Sequence, residues 1–94
     1  MSEQTTESII AETKKQTERA SALRERVSEL ALDAIAETYG SKDEATRLLL
    51  DAMRAWEKAA AACREIDTAA YEDCVRESLA YQEAMREMTM KNDK

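Results

Sequence analysis

Apolar residues recur every three or four positions along most of this chain, the period of an α-helix. A first run reads Ile9, Thr13, Gln16, Ala20, Leu23, Val27, Leu30 and Ala34. It predicts one helix over about 7–39, with a seam polar or small in its first half and hydrophobic only from Leu23 onward. Leu32 and Ile35 lie beside that seam and widen the buried face. The run stops at Gly40, the only glycine in the chain, and glycine is the usual residue just past a helix end.

Ser41-Lys-Asp-Glu44 then has the form of a capping box. A hydroxyl at the start of a helix can take the free amide three residues on, while the Glu44 carboxylate reaches back. The following run, Ala45, Leu49, Ala52, Trp56, Ala59, Cys63 and Ile66, predicts a second helix over about 42–66, antiparallel to the first. Trp56 sits on this seam as a core anchor.

After Ile66 the phase changes to Tyr71, Cys74, Ser78, Tyr81, Met85 and Met88, with Val75 and Leu79 beside them. Asp67 or Thr68 can cap a separate third helix over about 69–89. If the chain stayed helical instead, residues 42–90 would form a rod roughly 70 Å long. The first helix could not cover that rod, and Tyr81, Met85 and Met88 would need a second chain. The break is the favoured reading, and a homodimer is expected either way because the alanine-rich seams alone give a thin core. The fold class expected is all-α: an antiparallel helical hairpin with a third helix, as a three-helix bundle or a coiled-coil-like dimer. Residues 9–90 form one domain, between disordered tails at 1–8 and 91–94.

Composition supports this picture. Aromatic residues make up 4%, and there is no proline or phenylalanine. The apolar residues are therefore small or flexible, suited to thin helix–helix seams. No apolar run approaches the roughly 20 residues of a membrane span, and the polar first residues have no leader pattern. A cytoplasmic protein is the expectation, with no membrane partner.

Charge narrows the function. Twenty acids face fourteen bases, for a net charge of −6, so direct binding to nucleic-acid phosphate is disfavoured. Residues 41–66 balance at five acids and five bases, whereas seven acids between Glu65 and Glu87 face only Arg76 and Arg86. Glu25, Glu29, Asp33 and Glu37 add a ladder at four-residue spacing, expected to be solvated or neutralised by Arg47, Arg54 and Lys58.

Candidate chemistry is sparse. Without histidine there is no zinc triad, di-iron motif or Ser-His-Asp arrangement. Cys63 and Cys74 are spaced too widely for a metal knuckle and read as small buried hydrophobes. They can meet only if the third helix folds back, because eleven residues of straight helix separate them by roughly 16 Å. Glu72-Asp73 lacks the spaced Glu-x-x-Asp of magnesium-dependent nucleotide hydrolases. No catalytic residue, metal or cofactor is implied.

The candidate binding residues are therefore on the surface. Glu65, Glu72, Asp73, Glu77, Glu83 and Glu87 form an acidic face suited to a basic groove on another protein. Tyr81, Met85 and Met88, with Met90, form either an apolar contact or dimer surface or the core face of the third helix with a frayed end. The chain differs from the secreted helical hairpins with Trp-x-Gly in the turn, because its turn reads Tyr39-Gly40-Ser41. In size, acidity and helical simplicity it resembles small phage- or plasmid-encoded inhibitors of host machinery, anti-CRISPR proteins among them. The function expected is non-catalytic protein–protein binding, as an inhibitor or regulator of a larger complex such as one that handles nucleic acid. A homodimeric coiled-coil assembly protein is the alternative, and a magnesium-dependent nucleotide hydrolase a third reading.

Overall fold

The computed structural model describes residues 5–92, and all regular structure among them is helical. In chain order the elements are α1 (Thr6–Gln16), α2 (Glu18–Arg26), α3 (Leu32–Tyr39), α4 (Lys42–Cys63) and α5 (Thr68–Asn92). α4 touches each of the other four. α5 returns along α4, and α1, α2 and α3 lie across the pair. The whole measures 49 × 22 × 17 Å.

The helix expected over 7–39 is three helices. α1 starts at Thr6, within a residue of the expected start, and the Thr5 hydroxyl caps it by accepting the Ser8 amide at 3.1 Å. Residues 6–8 are thus helical, while 1–4 of the expected tail lie outside the described residues. The first interruption is a bend at Thr17 (φ −106°, ψ 16°). Backbone bonding carries on through it: the Thr17 amide donates to the Thr13 carbonyl at 3.0 Å and the Ser21 amide to the Thr17 carbonyl at 2.8 Å. The Thr13 and Thr17 hydroxyls also donate back to the carbonyls of Ile9 and Thr13, both at 2.8 Å. Such back-bonding bends helices.

Burial at the bend differs from the seam pattern: Thr17 is buried and Gln16 exposed. A second partner set explains why. The Trp56 indole N–H donates to the Thr17 hydroxyl at 3.1 Å, and the Tyr81 hydroxyl to the Thr17 carbonyl at 3.4 Å. One threonine thereby joins α1, α4 and α5.

The second interruption, between α2 and α3, leaves Ala31 extended after a turn closed onto the Arg26 carbonyl. It re-phases the chain. Ile35, beside the straight-helix seam, becomes fully buried, while Leu30 and Ala34 are only half-buried. The Ser28 carbonyl, without a helical partner here, accepts from the Lys91 ammonium at 3.4 Å.

Gly40 ends α3 with φ +104°, and its amide donates to the Ala36 carbonyl at 2.8 Å. A Cβ there would collide with the Glu44 carboxylate. Ser41 caps α4 by accepting the Glu44 amide at 3.0 Å. The α4 seam runs Ala45, Leu49, Ala52, Trp56, Ala59 and Cys63, all buried. It stops there: Ile66, expected on the seam, is exposed. The Cys63 carbonyl closes the turn by accepting the amides of Ile66 and Asp67, each at 3.0 Å. The Asp67 carboxylate takes the Ala69 amide at 3.0 Å, which lets the chain reverse without glycine or proline. α5 passes the expected end at 89, so residues 91 and 92 of the expected tail are helical; 93 and 94 lie outside the described residues.

Thr17→Val should lower the unfolding free energy by about 1–3 kcal/mol, because it orphans the buried indole N–H. Combined with Trp56→Phe, which removes that donor, it should cost less than the two single changes added together. Urea unfolding followed by circular dichroism measures both. Gly40→Ala should cost at least about 1 kcal/mol in the same assay, from its positive φ alone.

Candidate functional site

The buried polar side chains of the interior among the described residues are Thr13, Thr17 and Ser78, beside the free thiols of Cys63 and Cys74. Its polar side chains are consumed in holding helices together, and no buried side-chain nitrogen or oxygen among the described residues lacks a partner. The described residues also bring no three potential metal-ligating side chains together. Two shallow grooves flank α1. One, of about 460 Å³, has a floor of Ala55, Ala59 and Ala62 and charged rims at Glu12, Arg54 and Lys58. The other, of about 290 Å³, lies toward α5, with Lys14, Glu18, Arg24 and Glu77 around the edges of Trp56 and Tyr81. Its cation is already engaged: Arg24 bonds Glu77 at 2.9 Å and stacks 4.6 Å over the Tyr81 ring.

The predicted apolar contact surface needs correction. Tyr81 and Met88 are 1% and 2% exposed and belong to the core of this chain, because α5 folds back onto α4 and turns them inward. Met85 is half-buried against the same core. Among the described residues, the surface-exposed large apolar side chains are Ile66, Leu79 and Met90, at 59%, 53% and 64%. Of these, sequence periodicity placed Ile66 on the core seam and Leu79 beside it.

The predicted acidic face is mixed in charge. Glu77 is held by Arg24, Asp73 lies 3.1 Å from Arg76, and Glu83 lies 3.5 Å from Arg86. Glu65, Glu72 and Glu87 have no cation within salt-bridge distance among the described residues. The four-residue acidic ladder is also divided. Glu25 lies on α2, Glu29 in the following turn, and Asp33 and Glu37 on α3, all exposed. None of them pairs with Arg47, Arg54 or Lys58, so the solvated reading fits.

What the surface of α5 does present is a stripe. Glu72, Arg76, Leu79, Glu83, Arg86 and Met90 follow one another in steps of four and three, and all six are exposed. This is the spacing of a helix-contacting seam, and it lies opposite the buried stripe of Ala70, Cys74, Tyr81, Ala84 and Met88. The signal was present in the sequence. It was hidden because Glu72 and Glu83 read with the other acids as one acidic face, apart from their arginines, and the leucine read as core.

Cys63 and Cys74 face each other across the α4–α5 turn, fully buried as free thiols. Burial pushes the Cys74 thiol up to about 11 from its ordinary 9.0, with the neighbouring Cys63 and then Asp73 and Glu77 adding to the effect. The unfolded thiol therefore ionises first. This contribution to stability is whole below about pH 9 and is lost as pH rises toward about 11. Unfolding free energy measured at pH 8 and pH 10.5 should fall less in Cys74→Ala than in the unaltered chain.

No protein-family model matches the chain, and no match is found among curated proteins or solved structures.

Proposed function

We propose that this protein acts without catalysis, by binding another protein chain through the outer face of α5. One observation carries the reading: a seam-spaced stripe of exposed side chains, centred on Leu79, on a helix whose opposite face is already packed. A leucine more than half exposed among charged neighbours is unremarkable singly. Leu79 and Met90, both on that stripe and both more than half exposed, give a surface that gains by being covered. The flanking charges then set partner choice and orientation more than affinity.

A second reading, an inhibitor or regulator that fills a basic groove, draws on Glu65, Glu72 and Glu87. Among the described residues those acids have no cation within salt-bridge distance, and they sit within a chain of net charge −6. It uses the same face, with electrostatic steering as its driving term.

Leu79→Asp tests the shared premise. Circular dichroism should show unchanged helicity, since the side chain is outside the core. Affinity capture from a cell lysate should lose at least one protein that the unaltered chain retains, this chain itself included. An identical set of captured proteins would reject α5 as the binding surface.

A further inference from the structure

We infer that the occupant of the outer face of α5 is a second copy of this chain, related by a two-fold axis that crosses the helix at Leu79. This rests on the reading of that face as a binding surface and names its partner.

The pattern of residues is self-complementary. A two-fold axis reverses the helix direction, so residues equally far before and after the axis meet across the contact. Glu72 lies seven residues before Leu79 and Arg86 seven after; Arg76 lies three before and Glu83 four after. Each acid therefore meets a base of the second copy, and each base an acid. Leu79 meets its own equivalent on the axis. Both arginines of the stripe are thereby used.

Present partners do not hinder this exchange. Arg76 and Arg86 now pair with Asp73 and Glu83 one helical turn away, and all four side chains are more than three-fifths exposed. Such pairs are weakly held, and Glu72 has no cation within salt-bridge distance among the described residues. A parallel arrangement would set Glu72 against Glu72 and Arg86 against Arg86, like charges opposed. A uniformly basic groove would leave Arg76 and Arg86 facing cations. Of the occupants considered, the antiparallel copy alone satisfies every charge on the stripe.

The test uses sedimentation equilibrium of the full chain from micromolar to submillimolar concentration, with helicity checked by circular dichroism. The unaltered chain should show a monomer–dimer equilibrium. Glu72→Lys with Glu83→Lys makes the stripe wholly basic, and Arg76→Glu with Arg86→Glu makes it wholly acidic. Each double variant alone should self-associate at least about tenfold more weakly. An equimolar mixture of the two should recover a dimer, which a merely structural effect of the substitutions would not produce.

A strict monomer across the range, or a dimer that persists in both charge variants, would overturn the proposal. If the unaltered chain is monomeric while Leu79→Asp still loses a captured protein, the occupant is that protein and the binding-surface reading survives. If neither self-association nor capture responds, both readings fail.

Discussion

The hydrogen bond from the Trp56 indole to the Thr17 hydroxyl fixes how the first third of this chain sits on the rest. Trp56 is the largest side chain in the core and is almost fully buried, so its N–H must find an acceptor inside. A helix surface built only of alanine and leucine could not provide one. Thr17 does, and its own proton is satisfied by the Thr13 carbonyl. The Tyr81 hydroxyl then occupies a lone pair of the Thr17 carbonyl. Three helices are tied through four polar groups, each with its requirement met, and the register of α1 against α4 and α5 follows. The bend in the backbone at Thr17 accompanies this arrangement: a straight helix with Gln16 inward would leave the indole without that acceptor.

α5 then carries two stripes on opposite sides. Its inner one follows Ala70, Cys74, Ser78, Tyr81, Ala84 and Met88, all buried. The Arg24 guanidinium, stacked on Tyr81 and bonded to Glu77, seals the edge where these faces meet. Beyond that edge begins the outward stripe. Glu77 therefore belongs to the intramolecular joint, and the binding surface proposed begins with the residues that point away from it.

Much of this was legible in the amino-acid pattern, and the failures have physical causes. Gly40, Ser41 and the α4 seam as far as Cys63 could be read directly, because glycine at positive φ and a serine cap are local chemistry. The break at Asp67 was legible as a change of phase, though no glycine or proline marked it. The division of the first helix was not. Period counting treats Thr17 as polar and Gln16 as equivalent, whereas the interior needed a short side chain that both donates and accepts. Tyr81 and Met88 were misread as surface because burial on α5 depends on whether the chain folds back, a tertiary fact. The acids at 73, 77 and 83 were legible as acids, but their arginine partners, one of them on a different helix, became visible only in three dimensions.

The net charge of −6 bears on self-association in two opposed ways. Two copies approaching from a distance repel, but that repulsion is screened beyond a Debye length of about 8 Å at physiological ionic strength. At contact, the charges that count are those on the stripe, where acids and bases alternate about Leu79. The bulk of the excess acid lies elsewhere, including Glu25, Glu29, Asp33 and Glu37 on the α2–α3 side. Such segregation lets an acidic molecule stay separate from indiscriminate neighbours while one face remains locally neutral enough to accept its own image. Specificity of this kind comes from where the charges stand along the helix; composition alone, which led toward a basic partner, carries no information about it.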